Sequence, residues 1–206
     1  MLFIISAPSG AGKTTLCRAL VAAHKEDFWC SISYTTRYKR KDEEDGRDYS
    51  FVSEETFAGM IKHNEFFEWA RVHGYYYGTS VKPLEEKERM GYNVLLDIDV
   101  QGGLCVKSKR KDAVLIFVLT PSLKELEARL VKRARDNKEV IQKRLRDTSY
   151  EIKEAEKYEY LIVNDVLEKA LLDIESIVRS VLLSRVRRKM NILDTWKKEI
   201  NSMSAK

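Results

Sequence analysis

Leu2-Phe3-Ile4-Ile5-Ser6-Ala7-Pro8-Ser9-Gly10-Ala11-Gly12-Lys13-Thr14-Thr15 is the stretch on which the reading of this 206-residue chain turns. Residues 2–6 form a short apolar run ended by a Pro/Gly-rich turn, the pattern of a buried strand. Ala7 to Thr14 match the phosphate-binding P-loop, with Ala7 standing where the pattern most often has Gly. Gly10 and Gly12 let the backbone turn so that its N–H groups converge on a phosphate. Lys13 then reaches the β/γ-phosphates, and Thr14 offers its hydroxyl to Mg²⁺. Residues 13–25 read as a helix with Leu16, Leu20, Ala23 and His24 on one face, so the loop also meets a positive helix terminus. A Gly/Ser-rich turn with an exposed lysine is the plain alternative, but a strand before the loop and a helix after it favour the nucleotide site.

The same rhythm recurs downstream. Asn93–Ile98 and Ala113–Leu119 are apolar strands, and Tyr160–Val163 is a short last one. Between them lie a helix capped by Thr79 or Ser80 and ended at Gly91, another opened by the capping box Ser122-x-x-Glu125, another at about 138–157, and a long one from Asp165-x-x-Glu168 to about 189. Unbroken apolar strands alternating with helices predict an α/β fold: a P-loop NTPase-type parallel sheet with helices on both faces. Residues 30–78 break the rhythm. Their short Ser/Thr/Tyr/Trp-rich runs at 31–36, 49–52, 66–72 and 75–77, with one helix at about 54–63 capped by Ser53, predict a small β-rich insertion. The expected organisation is a core of 1–30 and 80–190, an insertion of 31–79, and a tail of 191–206.

Composition narrows the class. Lys+Arg is 37 and Asp+Glu 32, a net +5; 44% of residues are hydrophobic and 33% charged. That balance excludes a disordered chain. No run of 18 apolar residues spans a membrane. The first five residues lack a basic n-region and read as structure rather than as a leader. Three widely spaced cysteines (Cys17, Cys30, Cys105) give neither a disulfide framework nor a CxxC zinc pattern, and three scattered histidines show no ligand spacing. The basic run at 185–189 reads as a solvated face, with nucleic-acid binding as its weaker alternative.

Two groups of residues add chemistry to the loop. Asp97 and Asp99 end a strand in the manner of a Walker B segment, where an acid orients Mg²⁺ through water; a turn or helix cap is the other use of such acids. The insertion holds Ser33, Arg37, Arg40, Tyr49, Glu68, Tyr77 and Thr79. Arg offers forked donors and Tyr a neutral hydroxyl, which suits a phosphate clamp. A carboxylate among them suits the N1–H and N2–H₂ edge of guanine, while adenine would leave it opposite an acceptor. Ser33 or Thr79 could donate to guanine O6. Taken singly, the tyrosines fit strand packing and the charges a solvated face.

Ala7–Thr15, Ser31–Arg37, Gly46–Phe51, Glu65–Ala70, Gly74–Thr79, Leu96–Gly102 and Ile162–Asp165 occur in the order and spacing of the guanylate kinase family, and the chain resembles it across about residues 2–185. The resemblance implies in-line transfer of a phosphoryl group from ATP to GMP in purine nucleotide metabolism, with Mg²⁺ as cofactor. It also implies a bacterial cytoplasmic setting and no nucleic-acid or membrane partner, and leaves oligomeric state open. dGMP is expected to serve too, because nothing in the sequence singles out a reader of the ribose 2′-OH. By the same resemblance Arg37, Arg40, Tyr49 and Tyr77 clamp the GMP phosphate; Glu68, Ser33 and Thr79 read guanine, with Asp99 near the base. Ala7, Pro8, Ser9, Gly10, Ala11, Gly12, Lys13, Thr14 and Thr15 hold ATP, with Asn164 near its adenosine. Arg129, Arg133 and Arg144 close on the ATP phosphates from a lid at about 124–147, and Lys13, Arg37, Arg133 and Arg144 form the catalytic set. Two departures are local: Tyr38-Lys39-Arg40 lacks the usual Pro, and the lid stretch 133–138 has no Gly and little Thr/Ser character. The alternatives are a kinase for AMP or dTMP and a non-catalytic module that binds a phosphopeptide.

Overall fold

The computed structural model describes residues 1–72, 74–132, 138–184, 194–201 and 203. Contacts divide the chain into two units, residues 1–171 and 172–206. The second holds the end of a long helix and a helical stretch at 194–201. The first carries both sheets.

Its larger sheet is formed by β1 (Leu2–Ser6), β2 (Phe28–Cys30), β7 (Asn93–Asp97), β8 (Val114–Leu119) and β9 (Tyr160–Val163), in the order β2-β7-β1-β8-β9. Every pairing is parallel. Parallel strands need crossovers, and α-helices supply them: α1 (Lys13–Ala23), α3 (Val81–Arg89), α4 (Val100–Lys109), α5 (Leu123–Lys132) and α6 (Lys138–Ala155), while α7 (Leu167–Ser184) follows the last strand. β1 is buried at all five residues, and Leu2 and Ile4 pack with Leu84, Val94, Leu96, Val106 and Leu115. Burying the apolar sides of these strands is the dominant favourable contribution to the core, at about 25 cal/mol per Å².

The smaller sheet has the order β4-β3-β6-β5, from β3 (Tyr34–Thr35), β4 (Ser50–Phe51), β5 (Phe66–Val72) and β6 (Tyr75–Ser80). It has its own core: Phe57 and Met60 of α2 (Glu54–Lys62) pack on Phe66, with the Phe57 and Phe66 rings stacked at 4.4 Å. Ser53 caps α2 as expected, its side chain accepting from the Thr56 N–H. Among the described residues, no helix is long and apolar enough to cross a membrane.

Three local expectations change. β2 was not anticipated; a three-residue strand is too short for a periodic signal, and its pairing with β7 fixes it. The buried face of α1 is Leu16, Cys17 and Leu20, while Ala23 is exposed. Ser80, not Thr79, stands at the N-cap of α3, as the last residue of β6, while Thr79 lies within the strand opposite Glu68. Residues 185–190, where the basic run falls, lie outside the described residues.

Candidate active site

The loop after β1 folds as its glycines require. Ala11 N–H closes a turn onto the Pro8 carbonyl at 3.0 Å. Gly10 and Gly12 have φ of 98° and 94°. A Cβ on Gly12 would lie 2.3 Å from Asn164 Nδ2, so both conformation and space demand glycine there. Asn164, just beyond β9, is buried and its amide donates to the Ala11 carbonyl at 2.8 Å. It braces the loop from below. Arg144 of α6 braces it from above, donating from Nη1 to Ser9 Oγ at 2.9 Å. Ala7, Pro8 and Ala11 are buried, whereas Thr14 and Thr15 open to solvent on the first turn of α1.

Lys13 is ion-paired with Asp97 at the end of β7. β7 lies beside β1 with Asp97 opposite Ile5, so sheet register places the acid at the loop. Burial by itself would lower the ammonium's pKa; Asp97 reverses this and holds it above the usual range. Asp99 takes the cap role considered for it, accepting the Gly102 N–H at 2.8 Å at the start of α4.

A cavity of about 480 Å³ opens beside the loop, lined by Gly10, Gly12, Thr15, Arg129, Lys132, Asn164, Asp165 and Leu167. Arg129 is fixed in it by three partners: Glu125 Oε1 at 2.8 Å, the Asn164 carbonyl at 2.9 Å and the Asp165 carbonyl at 3.5 Å. Glu125 therefore serves Arg129, and only the Ser122 half of the expected capping box forms. Arg133 lies outside the described residues.

The insertion residues meet on the smaller sheet. Arg37 donates from Nε to the Tyr77 hydroxyl at 3.3 Å and from both Nη atoms to Glu43, at 3.0 and 2.8 Å. Its guanidinium also lies over the Tyr49 ring, 5.3 Å from the centroid. Tyr49 and Tyr77 are in edge contact at 5.8 Å. Arg40 is half-buried, and its backbone N–H donates to Glu43 at 2.9 Å. Sequence reading missed Glu43, which sits in a mixed-sign run that looks like a solvated face. Burial opposes its charge, but Arg37 and Arg40 hold its pKa below the ordinary value. Burial, with Asp97 next, pushes the Tyr49 hydroxyl up to about 12, so it remains a neutral donor. Tyr49 and Lys13 lie close enough to interact electrostatically, which joins the clamp to the loop.

Glu68 is 4% exposed and takes a 2.6 Å hydrogen bond from Thr79 Oγ1. An irregularity between Phe66 and Glu68 slips the β5–β6 register, so that Glu68 and not Phe67 stands opposite Thr79. Thr79 thus donates its proton to Glu68, and Ser33, the other hydroxyl of the expected pair, is also buried. Glu68 Oε2 lies 2.7 Å from where a Cβ on Gly102 would be, so α4 approaches the carboxyl closely only because residue 102 has no side chain. Burial first, and Asp99 after it, push this carboxyl up to about 7.

A strand, a glycine-turned loop and a helix carrying Lys13 and Thr14, on a parallel sheet with a facing strand-end acid, define a P-loop nucleotide-binding protein. The family model described as guanylate kinase matches residues 1–181. A guanylate kinase of Syntrophotalea carbinolica is 49% identical over 178 residues, 86% of this chain and 84% of that protein. One of Methylobacillus flagellatus is 44% identical over 96% of this chain and 97% of its own. The crystal structure of guanylate kinase from Anaplasma phagocytophilum superposes with a TM-score of 0.74 at 34% identity, covering 87% of this chain and 85% of that one. The chain belongs to the guanylate kinase family, and its fold is that of the P-loop kinases.

Proposed function

We propose that this chain transfers the γ-phosphoryl group of ATP to GMP, and to dGMP, by in-line displacement, giving GDP or dGDP and ADP. The observation that carries the reading is the buried Glu68. Among the described residues it has no cationic partner at hydrogen-bond distance, which is costly inside a protein, and it stands on the same small sheet as Tyr77 of the phosphate clamp. Guanine repays that cost with two parallel N–H donors; adenine does not. The insertion 31–79 acts as the acceptor part, the residues 1–30 and 80–190 as the core, and 124–147 as the lid, with 191–206 as a tail.

On this reading Arg40, Arg37, Tyr49 and Tyr77 hold the GMP phosphate, with Arg37 locked by Glu43 and Tyr77. Ser33 donates to guanine O6. The loop amides, Lys13 and Arg144 surround the ATP phosphates, and Arg129 and Asn164 border the adenosine cavity. Arg133 completes the lid set. The phosphate oxygen of the acceptor attacks the γ-phosphorus directly; being already anionic, it needs no dedicated base. The chain's part is alignment and opposite charge, in a cleft that excludes water.

Mg²⁺ fits the donors. Among the described residues, no group of three His, Cys, Asp or Glu forms an all-protein cage. Mg²⁺ takes most of its octahedron from water and phosphates, and one hydroxyl at the loop, Thr14, with nearby acids to orient water, is the usual protein share. When bound, it neutralises charge on the donor phosphates. The reaction belongs in the cytoplasm, where ATP and GMP are found.

The test is ADP formation from ATP and Mg²⁺ with GMP, dGMP, AMP, UMP or dTMP as acceptor. The reading expects turnover with the two guanine nucleotides alone. Equal turnover with AMP or dTMP, or none with any acceptor despite ATP binding, would overturn it.

A further inference from the structure

α6 brings more than arginine to the cleft. Its inward face, by helical spacing, runs Arg144, Asp147, Thr148, Glu151, and all four are half-buried or buried while 146, 149, 150 and 152 are exposed. Arg144 pins the start of that face to the P-loop through Ser9. Farther along, α6 packs against α4, whose N-cap is Asp99. Glu151 therefore lies between two fixed points, close enough to Lys13 of α1, Asp99 and Asp147 to interact with them electrostatically. Lys13 is already paired with Asp97. Asp97 and Glu151 thus both act on the P-loop lysine.

We propose that Glu151 is a specificity-determining residue of the donor site: it disfavours the free nucleoside triphosphate tetra-anion and so selects the triphosphate complexed with a divalent cation. The inference rests on the ATP-binding reading of the P-loop. A triphosphate entering the loop takes Lys13 as its partner and leaves Asp97 and Glu151 facing added negative charge. In a cleft of low effective dielectric that repulsion is large at a few ångströms. A divalent cation on the phosphates offsets it; an uncomplexed triphosphate cannot. Burial, reinforced by Asp99, pushes the Glu151 carboxyl up to about 7, so it is ionised at pH 8.

The experiment is calorimetric titration with ATP at pH 8.0, without acceptor, once with excess Mg²⁺ and once with EDTA. The variants are Glu151→Gln and Glu151→Met, two neutral replacements so that one misfolding does not end the test, Glu151→Asp, which keeps the charge, and Glu154→Gln. Glu154 lies one turn on and pairs with Lys157. Both neutral variants are expected to bind ATP in EDTA about tenfold more tightly than the parent and to bind it with Mg²⁺ unchanged within about twofold. Glu151→Asp and Glu154→Gln are expected to match the parent in both. An equal shift with and without Mg²⁺, no shift in EDTA, or the same shift in Glu154→Gln would overturn the assignment while leaving the donor site in place. Absence of ATP binding by the parent in both buffers would remove the donor-site reading, and the assignment with it.

Discussion

Replacing Glu68 with Gln separates what this carboxyl does for function from what it costs the fold. Gln is nearly isosteric and can still accept from Thr79 Oγ1, now 2.6 Å from Oε1. It removes the charge and turns an N–H₂ toward the guanine edge, which is itself a donor. Two charge-assisted hydrogen bonds are worth about 1.5–3 kcal/mol each, and losing most of one plus a donor–donor clash costs about 3 kcal/mol. That is about a 150-fold loss in kcat/KM for GMP, with a smaller gap between GMP and AMP. The parent carries a pH signature that the variant lacks. Its carboxyl, pushed up to about 7 by burial, must be ionised to accept from guanine, so kcat/KM for GMP falls as pH drops through about 7. Stability runs the other way. The folded state holds this proton more tightly than the unfolded chain, so its contribution is present at low pH and is lost as pH rises to about 7. At pH 8 the variant escapes a penalty of up to about 3 kcal/mol and melts at the higher temperature, an advantage that shrinks at pH 5. Acceptor kinetics from pH 5.5 to 8.5 and melting curves at pH 5 and 8 check both halves. Unchanged GMP kinetics in the variant would refute the base-reading argument, and a lower melting temperature at pH 8 would refute the desolvation argument.

Other perturbations test neighbouring parts. Gly12→Ala puts an L-residue at φ 94° and its Cβ 2.3 Å from the Asn164 amide, so it is expected to lose about 1–2 kcal/mol of stability in thermal melts and at least about tenfold in ATP affinity by titration. Glu43→Gln unlocks Arg37 and the Arg40 turn; KM for GMP is expected to rise about tenfold while KM for ATP stays level, in steady-state kinetics. Lys13→Ala leaves Asp97 without its cation and is expected to lose at least about a hundredfold in kcat while circular dichroism shows an intact fold.

The core was readable because its signals are local. Residues 2–14 spell strand, turn and helix start within one window, and each apolar run at 93–98, 113–119 and 160–163 becomes a strand of the parallel sheet. What stayed hidden depends on partners far along the chain. β2 exists because β7 pairs with it. Thr79 was read as a cap or a base donor, but the register slip at Phe67 turns its hydroxyl onto Glu68. Asn164 was read as an adenosine neighbour; it lines the cavity, and its amide also supports the loop carbonyl of Ala11. Glu43 and Glu151 carry no motif of their own. The first is drawn out of a charged run by Arg37, and the second takes its place from the packing of α6 on α4. A helical spacing of 144, 147 and 151 was the available sign for Glu151, legible once Arg144 was tied to the loop.

The most direct measurement of the central claim follows the phosphoryl group itself: γ-³²P-labelled ATP and Mg²⁺ are mixed with GMP and the parent protein, and the products are separated. The account predicts that the label leaves ATP only when GMP is present and appears in GDP. Label released as inorganic phosphate without GDP, or carried to AMP as readily as to GMP, would contradict it.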